Sequence, residues 1–108
     1  CEYEWGVHIA LFAAKIGLGP VEIAATVQEP SGTSCWASDE QALISVVDDL
    51  VDRRTIAEAT WMAAREHFDE AQMLEVIALV GYYHTISFLC RALELPLESY
   101  GARFPSDA

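Results

Sequence analysis

Cys1-Glu2-Tyr3-Glu4-Trp5-Gly6-Val7-His8 is the stretch whose reading decides the fold. Carried on to residue 16 at about 100° per residue, it places Cys1, Trp5, His8, Ile9, Phe12 and Ile16 on one broad helical face, with Glu4 at its edge. Cys1, Glu4 and His8 then project to the same side. Glu4 and His8 are also an i, i+4 pair, close enough for a carboxylate to orient an imidazole and raise its basicity. General acid–base chemistry needs that combination, although such pairs also occur on plainly solvated helix faces. A trio of reactive groups beside Trp5 and Phe12 favours the chemical reading, because a charge next to apolar surface is costly without a partner. Gly6 costs roughly 1 kcal/mol relative to alanine inside a helix, so another backbone or a ligand is expected to approach it closely.

Further along, Gly17 and Gly19 stop this helix, and Pro20 suits the first position of a short second one over about residues 20–27. The stretch 28–37, with Glu29-Pro30-Ser31-Gly32, reads as the one clear loop and a candidate flap. Ser38 with Gln41, Thr55 with Glu58 and Asp69 with Gln72 each have the capping-box spacing of a helix start. Ala42, Leu43, Val46, Val47, Leu50 and Val51 then repeat with helical period, opposite most of Glu40, Asp48, Asp49 and Asp52. A weaker helix is expected over 56–68, and a long one over 71–95, apolar nearly all round until Pro96. Such a helix belongs at the centre of a bundle or across a subunit interface. The tail from Leu97 has no periodicity and reads as irregular. No alternating run bounded by turns argues for a strand, so the fold class is all-α, with about five helices.

Composition sets the outer limits. With 108 residues, 53 % of them hydrophobic, the chain has the size of one domain with a real core. A net charge of −11, from 17 acidic and 6 basic residues, repels phosphate backbones and anionic lipid, so neither nucleic acid nor a membrane is expected as a partner. The uncharged run from Val76 to Cys90 contains His84 and falls short of the about 20 apolar residues of a membrane span, which makes it a buried helix. No signal-peptide pattern is visible. Cys1, Cys35 and Cys90 have neither disulfide-framework nor zinc-ribbon spacing, and a reducing, cytoplasmic setting follows. Because Cys1 starts in mid-helix, residues 1–108 are expected to be a single domain lacking an N-terminal helical segment.

Cys1-Glu2-Tyr3-Glu4-Trp5-x-x-His8 resembles the active-site helix signature of the carboxymuconolactone decarboxylase and alkylhydroperoxidase D superfamily. The similarity runs through nearly the whole chain: Gly17-Leu18-Gly19 before Glu22-Ile23, Trp36 ahead of Ser38-Asp39-Glu40, Asp48-Asp49-Leu50, Ala59-Thr60-Trp61, and Gly81-Tyr82-Tyr83. The resemblance implies an alkylhydroperoxidase D-like helical bundle that assembles into trimers or hexamers. In the peroxidase branch the helix carries Cys-x-x-Cys-x-x-x-His, which reads onto Cys1, Glu4 and His8, so Glu4 stands where the second cysteine would be. Peroxide reduction by a dithiol needs that cysteine to resolve the sulfenic acid formed on the first. Cys35 or Cys90 takes the part only if the fold brings it to Cys1. The decarboxylase branch needs no cysteine pair.

The leading expectation is therefore a carboxymuconolactone decarboxylase-like enzyme using Glu4 and His8 on a small organic substrate. One alternative is a thiol peroxidase, with peroxiredoxin-type antioxidant activity, using Cys1 without a local partner. The other is a non-catalytic helical oligomerisation module. Trp5, Phe12, Trp36, Tyr83 and His84 are candidate pocket residues. Trp36 also reads as a loop anchor, and His84 as a core or interface histidine satisfied by a hydrogen bond. Glu4, His8 and His84 are weak candidates for a metal set, and neither a metal nor a cofactor is expected.

Overall fold

Helix α3, Ser38–Arg53, shows how the apolar pattern becomes a core. Ala42, Val46 and Leu50 recur at intervals of four on one side, and they meet Trp61, Ala64 and Phe68 of the α4 region and Met73 and Val76 of α5. Val46, Ala64 and Met73 are completely covered. Covering side chains of the size of valine or methionine contributes about 1.5–3 kcal/mol each. This holds α4, Glu58–Arg65, and the first turns of α5, Glu70–Ala92, against α3.

The computed structural model describes residues 1–28 and 35–105, and among them every regular element is helical. Before α3 come α1, Glu2–Phe12, a 3-10 turn, Ala14–Ile16, and α2, Pro20–Ala25. The all-α class is thus correct. Residues 29–34, which hold most of the expected flap, lie outside the described residues. The chain divides into two compact units, Cys1–Gln28 with His84–Ala108, and Glu29–Tyr83.

Helix ends follow local chemistry, with two corrections. Asp69 and Gln72 form the reciprocal box expected of them: the Gln72 amide donates to the Asp69 carboxylate and the Asp69 amide to the Gln72 side chain. At α3 the cap is displaced by one residue. Ala37 is the N-cap and its amide donates to Glu40, because the carboxylate three residues on is the better acceptor for that amide than Gln41, whose amide side chain donates to the Trp36 carbonyl. At α4, Thr55 caps nothing: the helix starts after Ala57, whose amide donates to the Asp49 carboxylate of α3. A tertiary contact replaces the expected local cap.

Two C-termini share one device. Leu18 donates to the Ala13 carbonyl and Gly17 to that of Ala14, with Gly17 left-handed at φ 79°. Leu95 donates to Cys90 and Glu94 to Arg91, with Glu94 left-handed at φ 50°. Both are Schellman closures, but only the first uses glycine. It is this closure, ahead of Pro96, that ends α5.

The expectation that α5 is buried is corrected. Only 11 % of its most apolar window is buried, although its 23 residues are by length and composition enough to cross a bilayer. Met73 and Cys90 are covered, whereas Leu74, Tyr82 and Phe88 are each more than half exposed.

In the first unit the tail, irregular as expected, lies along α1. The Ala102 amide donates to the Gly6 carbonyl at 3.0 Å, and a Cβ on Gly6 would collide with the Ala102 carbonyl oxygen. This is the close backbone approach expected at Gly6. Beside it Phe104 rests against Trp5, with ring centroids 5.1 Å apart, and the Trp5 indole donates to the Thr26 hydroxyl at 2.7 Å, tying α2 to α1.

Candidate functional site

On α1, Glu4 and His8 face each other one turn apart. His8 Nδ1 lies 2.8 Å from the Glu4 main-chain carbonyl and 3.8 Å from the Glu4 carboxylate. A carbonyl can only accept, so the Nδ1 position carries a proton and Nε2 carries the basic lone pair in the neutral ring. Orientation of the imidazole, expected from the Glu4 side chain, comes from its backbone. The His8 side chain is 42 % exposed and that of Glu4 20 %, so the pair is reachable from solvent. Phe12 flanks the ring at 5.6 Å between centroids, and Lys15 lies over the Phe12 ring, its ammonium 5.6 Å from the centroid.

A second constellation lies at the start of the same helix. A cavity of about 740 Å³ is walled by Cys1, Tyr3, Cys90, Arg91, Arg103 and Phe104 with the turn at residues 94–97. Cys1 is the exposed N-cap of α1 and Cys90 is buried in the last turns of α5. Glu2, also in the wall, accepts from the Phe104 amide at 2.9 Å and from the Arg103 guanidinium at 3.1 Å. These bonds hold its carboxyl below the ordinary value, the Phe104 amide contributing most and Arg103 next. The Tyr3 hydroxyl donates to Glu98 at 3.0 Å. That bond, then partial burial and the charges of Glu98, Tyr100 and Cys90, raise the phenol above its ordinary value and keep it a donor at neutral pH.

Of the residues singled out from sequence, Cys1 and Cys90 line this cavity; Glu4, His8, Trp5 and Phe12 lie elsewhere on α1. His84 is half-buried and edge-on to Phe88 at 6.0 Å. In the other unit, Trp36 is half-buried in the turn before α3, and Tyr83 stacks edge-on with Tyr82 at 5.4 Å. No three histidine, cysteine or acidic side chains among the described residues gather closely enough to hold a metal. Sequence reasoning named Cys90 as a resolving thiol on condition that the fold brings it near Cys1, but it did not place Tyr3, Arg91 or Arg103 here. Their meeting depends on the return of an aperiodic tail, which leaves no local signature.

No family model, curated protein or solved structure matches this chain.

Proposed function

We propose that the chain is a carboxymuconolactone decarboxylase-like enzyme domain with an alkylhydroperoxidase D-like bundle, in which Glu4 and His8 move a proton on a small organic substrate. The observation that carries this reading is the 2.8 Å contact of His8 Nδ1 with the Glu4 carbonyl, with the carboxylate at 3.8 Å. The backbone fixes the tautomer, and Nε2 is the atom that takes a proton from substrate or returns it, with the Glu4 carboxylate beside the ring. The motif on α1, with Glu4 in place of a second cysteine, supports the same assignment. The setting is cytoplasmic, and the working form is a trimer or hexamer in which the exposed apolar side chains of α5 are covered by other copies. The test is turnover of small carboxylated lactones by His8→Ala and Glu4→Gln, with folding followed by circular dichroism. Loss of turnover in folded variants is expected; unchanged turnover in both removes the reading.

A second reading has its own observation. Cys1 is exposed and lines the cavity, whereas Glu4 and His8 do not. This favours a thiol peroxidase in which a hydroperoxide enters that cavity and oxidises Cys1. Dimedone labelling of Cys1 after stoichiometric hydroperoxide supports it, and an inert Cys1 refutes it. If neither activity is present while α5 still drives assembly, the chain is a helical oligomerisation module.

A further inference from the structure

We propose that Cys1 and Cys90 form a dithiol redox couple across the cavity, with Cys90 supplying the resolving thiol that the α1 motif lacks. The inference rests on the thiol reading of Cys1 and adds a second group to it. Two cysteines far apart in sequence wall one cavity, one at the start of α1 and the other in the last turns of α5. Their surroundings divide the labour. Cys1 is exposed, and two of the chain's few arginines, Arg91 and Arg103, share the cavity wall with it, where cationic neighbours favour a reactive thiol. Cys90 is only 6 % exposed, so it is sheltered from oxidants in bulk solvent but open to a partner reaching it through the cavity.

The chemistry balances with a hydroperoxide as oxidant. The Cys1 thiolate attacks the distal peroxide oxygen, the O–O bond breaks, and the alkoxide leaves and is protonated to the alcohol, with Cys1 now a sulfenic acid. The Cys90 thiolate, having given up its proton, then attacks the Cys1 sulfur. An S–S bond forms, the S–O bond breaks, and hydroxide leaves and takes up a proton as water. Two electrons have passed from the two thiols to the peroxide, and an external dithiol returns them by exchange. Closure requires the two Cα atoms to lie within about 7 Å of each other.

The experiment treats the 108-residue chain and its Cys90→Ser, Cys90→Ala and Cys35→Ser variants with one equivalent of cumene hydroperoxide. Non-reducing peptide mass spectrometry and dimedone labelling read the products. The parent chain and Cys35→Ser are expected to yield an intramolecular Cys1–Cys90 disulfide. Both Cys90 variants are expected to accumulate dimedone-reactive Cys1 about tenfold or more above the parent, because nothing condenses with the sulfenic acid. A Cys1 that labels equally in all four, or that pairs with Cys35, overturns the Cys90 assignment while the thiol reading stands. A Cys1 that hydroperoxide does not oxidise overturns both.

Discussion

The Ala102 amide reaches the Gly6 carbonyl at 3.0 Å at a place where a single extra carbon on Gly6 would collide with the Ala102 carbonyl oxygen. Gly6→Ala therefore sets two terms against each other. Alanine gains roughly 1 kcal/mol in helix propensity, whereas forced overpacking costs about 1–3 kcal/mol. The obstacle is backbone rather than the end of a flexible side chain, so the clash is expected to win and the tail to lift from α1. The Ala102 amide should lose its hydrogen-exchange protection, and Trp5 fluorescence should shift as Phe104 leaves it. A protected Ala102 amide in the variant would show that the clash is absorbed elsewhere.

Acid should release the same tail. Glu2 has its folded-state carboxyl held below the ordinary 4.5, chiefly by the Phe104 amide and then by Arg103. A depressed folded value means that its contribution to tail docking is complete above about that ordinary value, the unfolded one, and is lost as the pH falls through the lower folded one. Amide protection at Phe104 should fall across that acidic window and be flat from mildly acidic to neutral pH. In Glu2→Gln the side-chain oxygen still accepts from the amide but no longer titrates, so protection should be lower at neutral pH and lose its acidic step.

These tail contacts also mark where the sequence stops being legible. Asp69 with Gln72 could be read because a capping box is complete within four residues, and Gly6 announced a close approach because glycine is costly in a helix. The register at Ala37 could not, since Glu40 and Gln41 compete and geometry decides between them. Glu2 and Arg103 are about a hundred positions apart, and no local period foretells their pairing. The Glu4–His8 pair was legible as spacing, but the acceptor facing His8 Nδ1 is main-chain, and no choice of side chain at position 4 could have disclosed it.

The two Schellman closures predict changes of opposite sign. Gly17 has the left-handed φ that glycine tolerates, whereas Glu94 takes it with a Cβ. Gly17→Ala should destabilise by about 1 kcal/mol, and Glu94→Gly should relieve strain and stabilise the end of α5 by a few tenths to about 1 kcal/mol. Urea unfolding of the two variants checks the pair. A loss of stability in Glu94→Gly would mean that its side chain contributes more to the cavity wall than its backbone strain costs.

The orientation of His8 yields the prediction closest to function. Because Nδ1 faces a carbonyl, neutral His8 should be the Nδ1–H tautomer, the minority form of a histidine in water, and long-range ¹H–¹⁵N correlations should show a pyridine-like Nε2. Substitution then separates holding from chemistry. In His8→Asn an amide nitrogen takes the place of Nδ1, so the bond to the Glu4 carbonyl can persist while the Nε2 atom is gone. In His8→Gln the amide reaches towards the Nε2 position and the anchoring bond is lost. Both should abolish proton transfer, a loss that for one general acid–base group is about 10²–10⁴-fold in kcat. Only His8→Asn should keep the parent stability of α1. Retained turnover in His8→Asn would take Nε2 out of the reaction and leave His8 as a positioning residue held by Glu4.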